Sequence, residues 1–338
     1  MSQKIGRSTL VLDTFPSIMS YASVVGKKEG EGPLARYFDA IFDDTTLGEK
    51  TWEKSESRMQ KEAVSRALEK GGYATMQIDY IFAGDLLNQC ISSHYGLRDL
   101  NIPFYGLYGA CSTMAEGLSL ASVFVDNNLA GFTMAATSSH FCSAERQFRL
   151  PLEYGGQRTP TSQWTATAAG SLVVGKSARP PFVKAVCGGT ITDLGIKDIN
   201  NMGAAMAPAA AQTIKTYLED SHTGPQDYDL IVTGDLGLVG SELLIDLLKR
   251  DGIDISGVHN DCGKMLYDVE AQDVHAGGSG AGCSASVLCS YLLKKIEDGA
   301  LKNVLFIATG ALMSTTSFQQ GESIPSIAHL VHLTYNRE

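Results

Sequence analysis

The sequence predicts a layered α/β protein built from two similar halves, and three observations carry that prediction. A short apolar run with an acidic stop occurs twice: Tyr80-Ile81-Phe82-Ala83-Gly84-Asp85-Leu86 matches Leu230-Ile231-Val232-Thr233-Gly234-Asp235-Leu236 at four of seven positions, at an offset of 150 (235 − 85). Cys111-Ser112 matches Cys283-Ser284, and Ala136-Thr137 matches Ala308-Thr309, both at an offset of 172 (283 − 111 and 308 − 136). Apolar runs of strand length alternate with segments of helical period, as a layer of helices on a sheet requires.

Taken in order, Gly26-Lys27-Lys28-Glu29-Gly30-Glu31-Gly32 is charged and glycine-rich and reads as a solvated surface turn or a partner contact. Met59, Ala63, Val64, Ala67 and Leu68 fall at helical spacing, with Ser57-x-x-Gln60 as a capping box and Gly71-Gly72 as the stop. The run from Asp79 to Gly84 is a buried strand ending at Asp85. Cys111 to Val125 carries a single acid, Glu116, and so predicts a helix buried almost all round, followed by a strand from Gly131 to Thr137. A seam near Lys176 to Pro181 divides the chain into halves 1–177 and 178–338. In the second half, Pro208 to Leu218 is a helix with proline near its first turn, Leu230 to Thr233 a strand, and Gly277 to Gly282 a turn before another buried helix. From Ala328 to Tyr335 the pattern alternates, so His329, Val331 and Leu333 share one strand face while Leu330, His332 and Thr334 share the other. One histidine of the two points inward, and the two aliphatic neighbours of His329 favour that one. Two buried helices stacked between two sheets give an α-β-α-β-α layering.

Composition narrows the function. The chain has 338 residues, 44% hydrophobic and 19% charged, and a net charge of −10, which disfavours nucleic acid as a partner. The apolar stretches are too short for a bilayer span, and Lys4 to Leu12 is too short and polar for a secretory signal. Seven cysteines without a C-x-x-C pair argue against both disulfides and a cysteine zinc site, and no metal or cofactor is expected. Neither the Ala/Gly segment 201–212 nor the glycine run 277–282 has the spacing of a phosphate or dinucleotide cradle.

Cys111, in Tyr108-Gly109-Ala110-Cys111-Ser112-Thr113, stands where the buried helix starts. Free N–H groups and the helix dipole there favour a thiolate, so this is a place for a nucleophile; the alternative is a small buried hydrophobe.

A Gly-Ala-Cys-Ser-Thr turn heading a buried helix inside a duplicated five-layer unit resembles the thiolase superfamily, notably ketoacyl-ACP synthase III. Four longer strings, Thr137-Ser138-Ser139-His140, Arg146-Gln147-Phe148-Arg149, 154–161 (Tyr-Gly-Gly-Gln-Arg-Thr-Pro-Thr) and 321–329 (Gly-Glu-Ser-Ile-Pro-Ser-Ile-Ala-His), resemble the stage V sporulation protein AD family over essentially the whole chain. The condensing enzymes use Cys, His and Asn. Here the strand from Leu230 to Thr233 runs into Gly234-Asp235-Leu236-Gly237, without the histidine. The turn Gly277-Gly278-Ser279-Gly280-Ala281-Gly282-Cys283 lacks the asparagine. Those groups hydrogen-bond the thioester oxygen and support decarboxylation, so Claisen condensation is not expected.

The family resemblance implies a sporulation protein that binds dipicolinic acid, alone or as its calcium chelate, for uptake into the developing spore. It also implies work alongside other stage V sporulation A membrane proteins, and a location inside the cell, peripheral at the spore inner membrane. The superfamily implies a homodimer, with Ser143 to Gln163 equally able to fold over the pocket or build dimer contacts. For the ligand, the expected contacts are Asp85, Cys111 and His329. Asp85 would repel a free dicarboxylate unless protonated or bridged by Ca²⁺; the competing reading makes it a strand-end cap, because Asp235 repeats it. His140, Arg149, Arg158 and His275 are further candidates, the arginines as cations for a dicarboxylate. Two rival functions remain open at this level: an acyltransferase working through Cys111 on a CoA or carrier thioester, and a scaffold without a ligand.

Overall fold

A computed structural model describes residues 1–148 and 158–337. Ten strands, flanked by three shorter ones, form its two main sheets: β1 Ser17–Gly26, β2 Tyr80–Gly84, β3 Phe104–Gly106, β4 Thr133–Ser139, β5 Ala168–Gly175, β6 Phe182–Cys187, β7 Leu230–Thr233, β8 His259–Asp261, β9 Asn303–Ala311 and β10 Ser326–Thr334. The first five lie in the order β3-β2-β4-β5-β1, the second five in the order β8-β7-β9-β10-β6. The pairing repeats as well. β2 is parallel to β3 and β4, as β7 is to β8 and β9; β5 is antiparallel to β4 and β1, as β10 is to β9 and β6. The two sheets touch edge to edge at the single pair Phe182 and Ser17.

Seven helices position the site: α1 Trp52–Gly71, α2 Ile91–Leu97, α3 Thr113–Asp126, α4 Phe141–Phe148, α5 Met202–Ser221, α6 Gly237–Arg250 and α7 Ala281–Val287. Val64, Ala67 and Leu68 of α1 pack on the outer face of the first sheet through Ile81, Ala83 and Met134. Ile214 of α5 and Leu244 of α6 cover the outer face of the second sheet through Ile231, Leu305 and Leu330. Between the sheets lies one apolar layer: Met114 and Leu118 of α3 and Val287 of α7 meet Phe82 and Leu172 on one side, Phe306 and Val331 on the other. The layering is α-β-α-β-α. All of α7 is buried, and a Cβ on its Gly282 would run into Ala168 O, so the helix lies against β5 with backbone touching backbone.

Several sequence expectations shift. The α1 helix starts at Trp52, with Thr51 Oγ1 accepting from Lys54 N, so Ser57 and Gln60 are buried mid-helix residues and not a capping box. Its stop is as expected, Gly72 adopting φ +70°. Pro208 lies inside α5, which begins at Met202 behind the cap Asn201. The stretch from Gly26 to Gly32 is solvated only in part: Lys27 and Glu31 are exposed, but Glu29 is buried, bonded to Tyr267 Oη at 2.5 Å and to Thr167 N at 3.0 Å. A charge pattern reports what a segment contains, and here the neighbouring half of the chain closes over it. No helix among the described residues is long and apolar enough to cross a membrane.

Candidate functional site

Cys111 sits in the 3-10 turn Ala110–Ser112 that leads into α3. The turn is closed by Thr113 Oγ1 donating to Ala110 O at 2.7 Å and Ser112 Oγ donating to Gly109 O at 2.6 Å. A Cβ on Gly310 of β9 would strike Gly109 O, so the second half presses its bare backbone against this turn.

Cys111 lines a partly open cavity between the halves, with about 60 Å³ of room for water-sized molecules. Leu86, Phe148, Met202, Met206 and Met313 give it apolar walls; Met side chains are flexible enough to shape themselves to a flat guest. Its polar groups are few: Tyr108, Cys111, Glu145, Thr165 and Ser279. Thr165 Oγ1 donates to Glu145 Oε1 at 3.0 Å. Among the described residues no lysine, arginine, histidine or asparagine lines it.

Behind Cys111 stands Asp235, at the end of β7 and fully buried. Its carboxylate accepts from Thr309 Oγ1 at 2.7 Å, Ser279 Oγ at 2.9 Å and Gly280 N at 2.9 Å. The Cys111 thiol is close enough for the charge of this carboxylate to act on it. Burial pushes the Cys111 thiol well above its ordinary range, and the neighbouring Asp235 charge pushes it further. The thiolate expected from a helix N-terminus is therefore not formed: desolvation and a like charge outweigh the dipole.

The other expected contacts are placed elsewhere. Asp85 is buried, with Oδ1 accepting from Leu87 N at 2.9 Å and Oδ2 from Ser93 N at 2.8 Å and Ser93 Oγ at 2.7 Å. It is the strand-end cap; its neighbour Leu86 reaches the cavity. His329 shares the inward face with Val331 and Leu333, yet it stops short of the cavity. Gly189 N donates to its Nδ1 at 3.2 Å, and burial pushes the imidazole down to about 4. His332 faces α5 and meets Tyr217 Oη at 2.7 Å. His140 Nε2 donates to Thr45 O at 2.9 Å, and His275 Nδ1 donates to Thr159 O at 2.8 Å; neither lines the cavity. The Arg158 guanidinium lies 4.9 Å over the Trp164 ring and bonds Asp273. Arg149 lies outside the described residues.

Sequence reading missed Glu145, Ser279 and the charge of Asp235 acting on Cys111. It also missed Glu56, a fully buried carboxylate on α1 that accepts from Ser138 Oγ at 3.1 Å and from Ser143 Oγ of α4 at 2.7 Å. Burial and nearby Asp85 push Glu56 up to about 8. Only Asp235 had a signal, its place in the repeat.

The sequence profile of the family described as Stage V sporulation protein AD (SpoVAD) matches residues 6–334. The chain belongs to this family. A stage V sporulation protein AD from Bacillus subtilis (strain 168) is 44% identical over 324 residues, 96% of each chain. Among solved structures, 3-oxoacyl-[acyl-carrier-protein] synthase III from Aquifex aeolicus VF5 matches with a TM-score of 0.56 and 13% identity, covering 95% of this chain and 100% of its own. A Xanthomonas campestris OleA variant matches with a TM-score of 0.58 and 14% identity, covering 98% and 100%. This family member therefore has the thiolase-like fold of those proteins, as its sequence led us to expect, while its Cys111 feels the charge of an aspartate.

Proposed function

We propose that this stage V sporulation protein AD family member is a binding protein for dipicolinic acid or its calcium chelate, acting in uptake of that compound into the developing spore, and that its cavity beside Cys111 is the binding site. The observation that carries the non-enzymatic part is the state of Cys111: a deeply buried thiol with its pKa raised, in a cavity lined by neither histidine nor asparagine among the described residues. A condensing enzyme needs an activated thiolate and donors for the thioester oxygen. The cavity offers instead apolar walls suited to an aromatic ring, with the Tyr108 hydroxyl, held only by a long 3.4 Å bond to Met313 O, as the donor for a carboxylate oxygen.

The carboxylate that a bound dianion must meet is Glu145, not Asp85. A free dianion would be repelled by that carboxylate, whereas a calcium ion would be shared between the two sets of carboxylate oxygens. Calorimetric titration with dipicolinate, with and without Ca²⁺, tests the reading. Saturable binding that disappears in a folded Cys111→Trp variant supports it, and no binding to the native protein overturns it.

The same reading places the protein in the forespore, beside membrane partners of the stage V sporulation A system, as a homodimer. The dimer reading is supported by β3, which ends the strand order of the first sheet and carries the exposed Tyr105. Light scattering of the purified chain checks it; a monomer at micromolar concentration rejects it.

A further inference from the structure

A second cavity lies beyond the C-terminus of α7 and shares no lining residue with the one beside Cys111. The helix does not continue regularly from α7: Leu288–Leu292 form a π-helical turn before α-helix resumes at Leu293–Glu297. Wide turns of this kind are rare and concentrate at functional sites. This one gives the cavity its floor, the buried Cys289 and Ser290. Tyr21 of β1 and Tyr37 of the 3-10 turn Ala35–Tyr37 form the walls, and Tyr291 meets Tyr37 edge-on at 5.1 Å. The room for water-sized molecules is about 340 Å³, against about 60 Å³ beside Cys111, and falls at the lower end of the roughly 300–1,000 Å³ usual for small-molecule sites.

The charge here runs against that of the chain. Arg36, Lys70, Lys294 and Lys295 line this cavity in a protein of net charge −10. Its carboxylates are already engaged: Asp39 accepts from Lys70 Nζ at 2.7 Å and from Ser23 N at 2.9 Å, and Asp298 accepts from Lys294 Nζ at 2.7 Å. Nearby Glu297 accepts from Tyr21 Oη at 2.8 Å. Two cations are left over. The Arg36 guanidinium lies 4.9 Å over the Tyr37 ring and donates to Tyr37 Oη at 3.0 Å, and Lys295 Nζ lies 5.4 Å over the Tyr291 ring; among the described residues neither meets a carboxylate. Aromatic faces hold a cation in place without neutralising it. Two surface grooves elsewhere show the contrast, one lined by Glu219, Asp251 and Asp254 without a cation, the other offering only His94.

We propose that this cavity is a binding site for an aromatic phosphate ester of nucleotide size, its ring laid against the tyrosines and its phosphates held by Arg36 and Lys295. A forked guanidinium and a lysine point charge together match phosphate oxygens, and tyrosine rings supply flat apolar area for a base. The proposal does not rest on the reading given to the cavity beside Cys111.

Calorimetric titration of the full chain with ADP, adenosine and inorganic pyrophosphate tests it, in the native protein, in Arg36→Ser/Lys295→Ser and in Cys111→Trp. Expected is saturable ADP binding that is roughly tenfold or more weaker in the double variant, weakens as NaCl rises from about 0.05 to about 0.5 M, and is unchanged in Cys111→Trp. Adenosine and pyrophosphate should each bind more weakly than ADP. No ADP binding to the native protein at millimolar concentration, equal affinity in a folded double variant, loss of binding in folded Cys111→Trp, or pyrophosphate bound as tightly as ADP overturns the proposal. If the double variant does not fold, the native protein still decides: ADP should protect Lys295 from acetylation, read by peptide mass spectrometry, while leaving exposed Lys4 unprotected, and equal labelling of Lys295 with and without ADP overturns the proposal. None of these measurements contains dipicolinate, so failure to bind that ligand and failure of this proposal are read separately.

Discussion

The two copies of the Gly-Asp-Leu turn are the same in sequence and opposite in use. After β2, Asp85 turns back on its own half, capping Leu87 N and Ser93 at the start of α2. After β7, Gly237 N, the equivalent of Leu87 N, is taken by Asp261 of β8 at 2.9 Å, together with Leu236 N at 2.8 Å. Asp235 is thereby released to reach Ser279 and Thr309. The difference traces to one position on the neighbouring strand: β8 ends in Asp261, whereas its counterpart β3 ends in Gly106, which has no side chain to offer. Duplication supplied two identical turns, and a single neighbour decided which carboxylate closes a strand end and which one builds the site.

That comparison can be broken first at Asp235. Asp235→Ala leaves a buried N–H and two hydroxyls without their acceptor, and we expect a loss of about 4 kcal/mol in urea unfolding together with loss of calorimetric dipicolinate binding. A variant that binds normally would show that Asp235 serves its own half alone, as Asp85 does.

The acid beside Asp85 gives the next effect. Burial and the nearby Asp85 raise Glu56 in the folded state from its ordinary 4.5 to about 8. Its favourable contribution is therefore full below the unfolded value and is lost as pH rises toward 8. Glu56→Gln has no such titration. Its stability relative to the native chain should climb by roughly 1 kcal/mol per pH unit across that window, measured as thermal midpoints from pH 4.5 to 8. A constant difference would mean that Glu56 is ionised throughout.

Smaller in effect is the contact that brings the halves together at the site. Gly310→Ala should cost about 2 kcal/mol, because its Cβ meets the carbonyl of Gly109 and must push the Cys111 turn aside; weakened ligand binding should accompany the lower melting temperature. The least change is expected for Asp85→Asn. Its dipicolinate affinity should stay within about threefold of native, since each Asp85 oxygen is engaged in its own loop. A tenfold loss of affinity would restore Asp85 as a ligand contact.

Much of the fold was legible in the residues. Strand β7 and the stop of α1 at Gly72 lie where pattern and glycine placed them, and the inward face of β10 follows from alternation. The start of α1 was not legible, because Ser57 and Gln60 imitate a cap that Thr51 provides in fact. Of the residues expected at the site, Cys111 lines the cavity because the turn that carries it is local. Asp85 and His329 lie off it, since being polar near a strand end does not reveal which neighbour a side chain meets. Glu145 gave no signal at all: its role depends on α4 folding back over Thr165.

What the sequence determined by itself is the order and type of the elements, their duplication and the family, because these follow from spacing along the chain and from identity of residues. The tertiary structure alone decided that the charge of Asp235 acts on Cys111 and that Asp261 takes the N–H groups of the turn after β7. The first relation joins residues of different halves and the second residues of neighbouring strands, and in a close-packed, poorly screened interior the neighbour across the layer acts on a thiol more strongly than its own helix does.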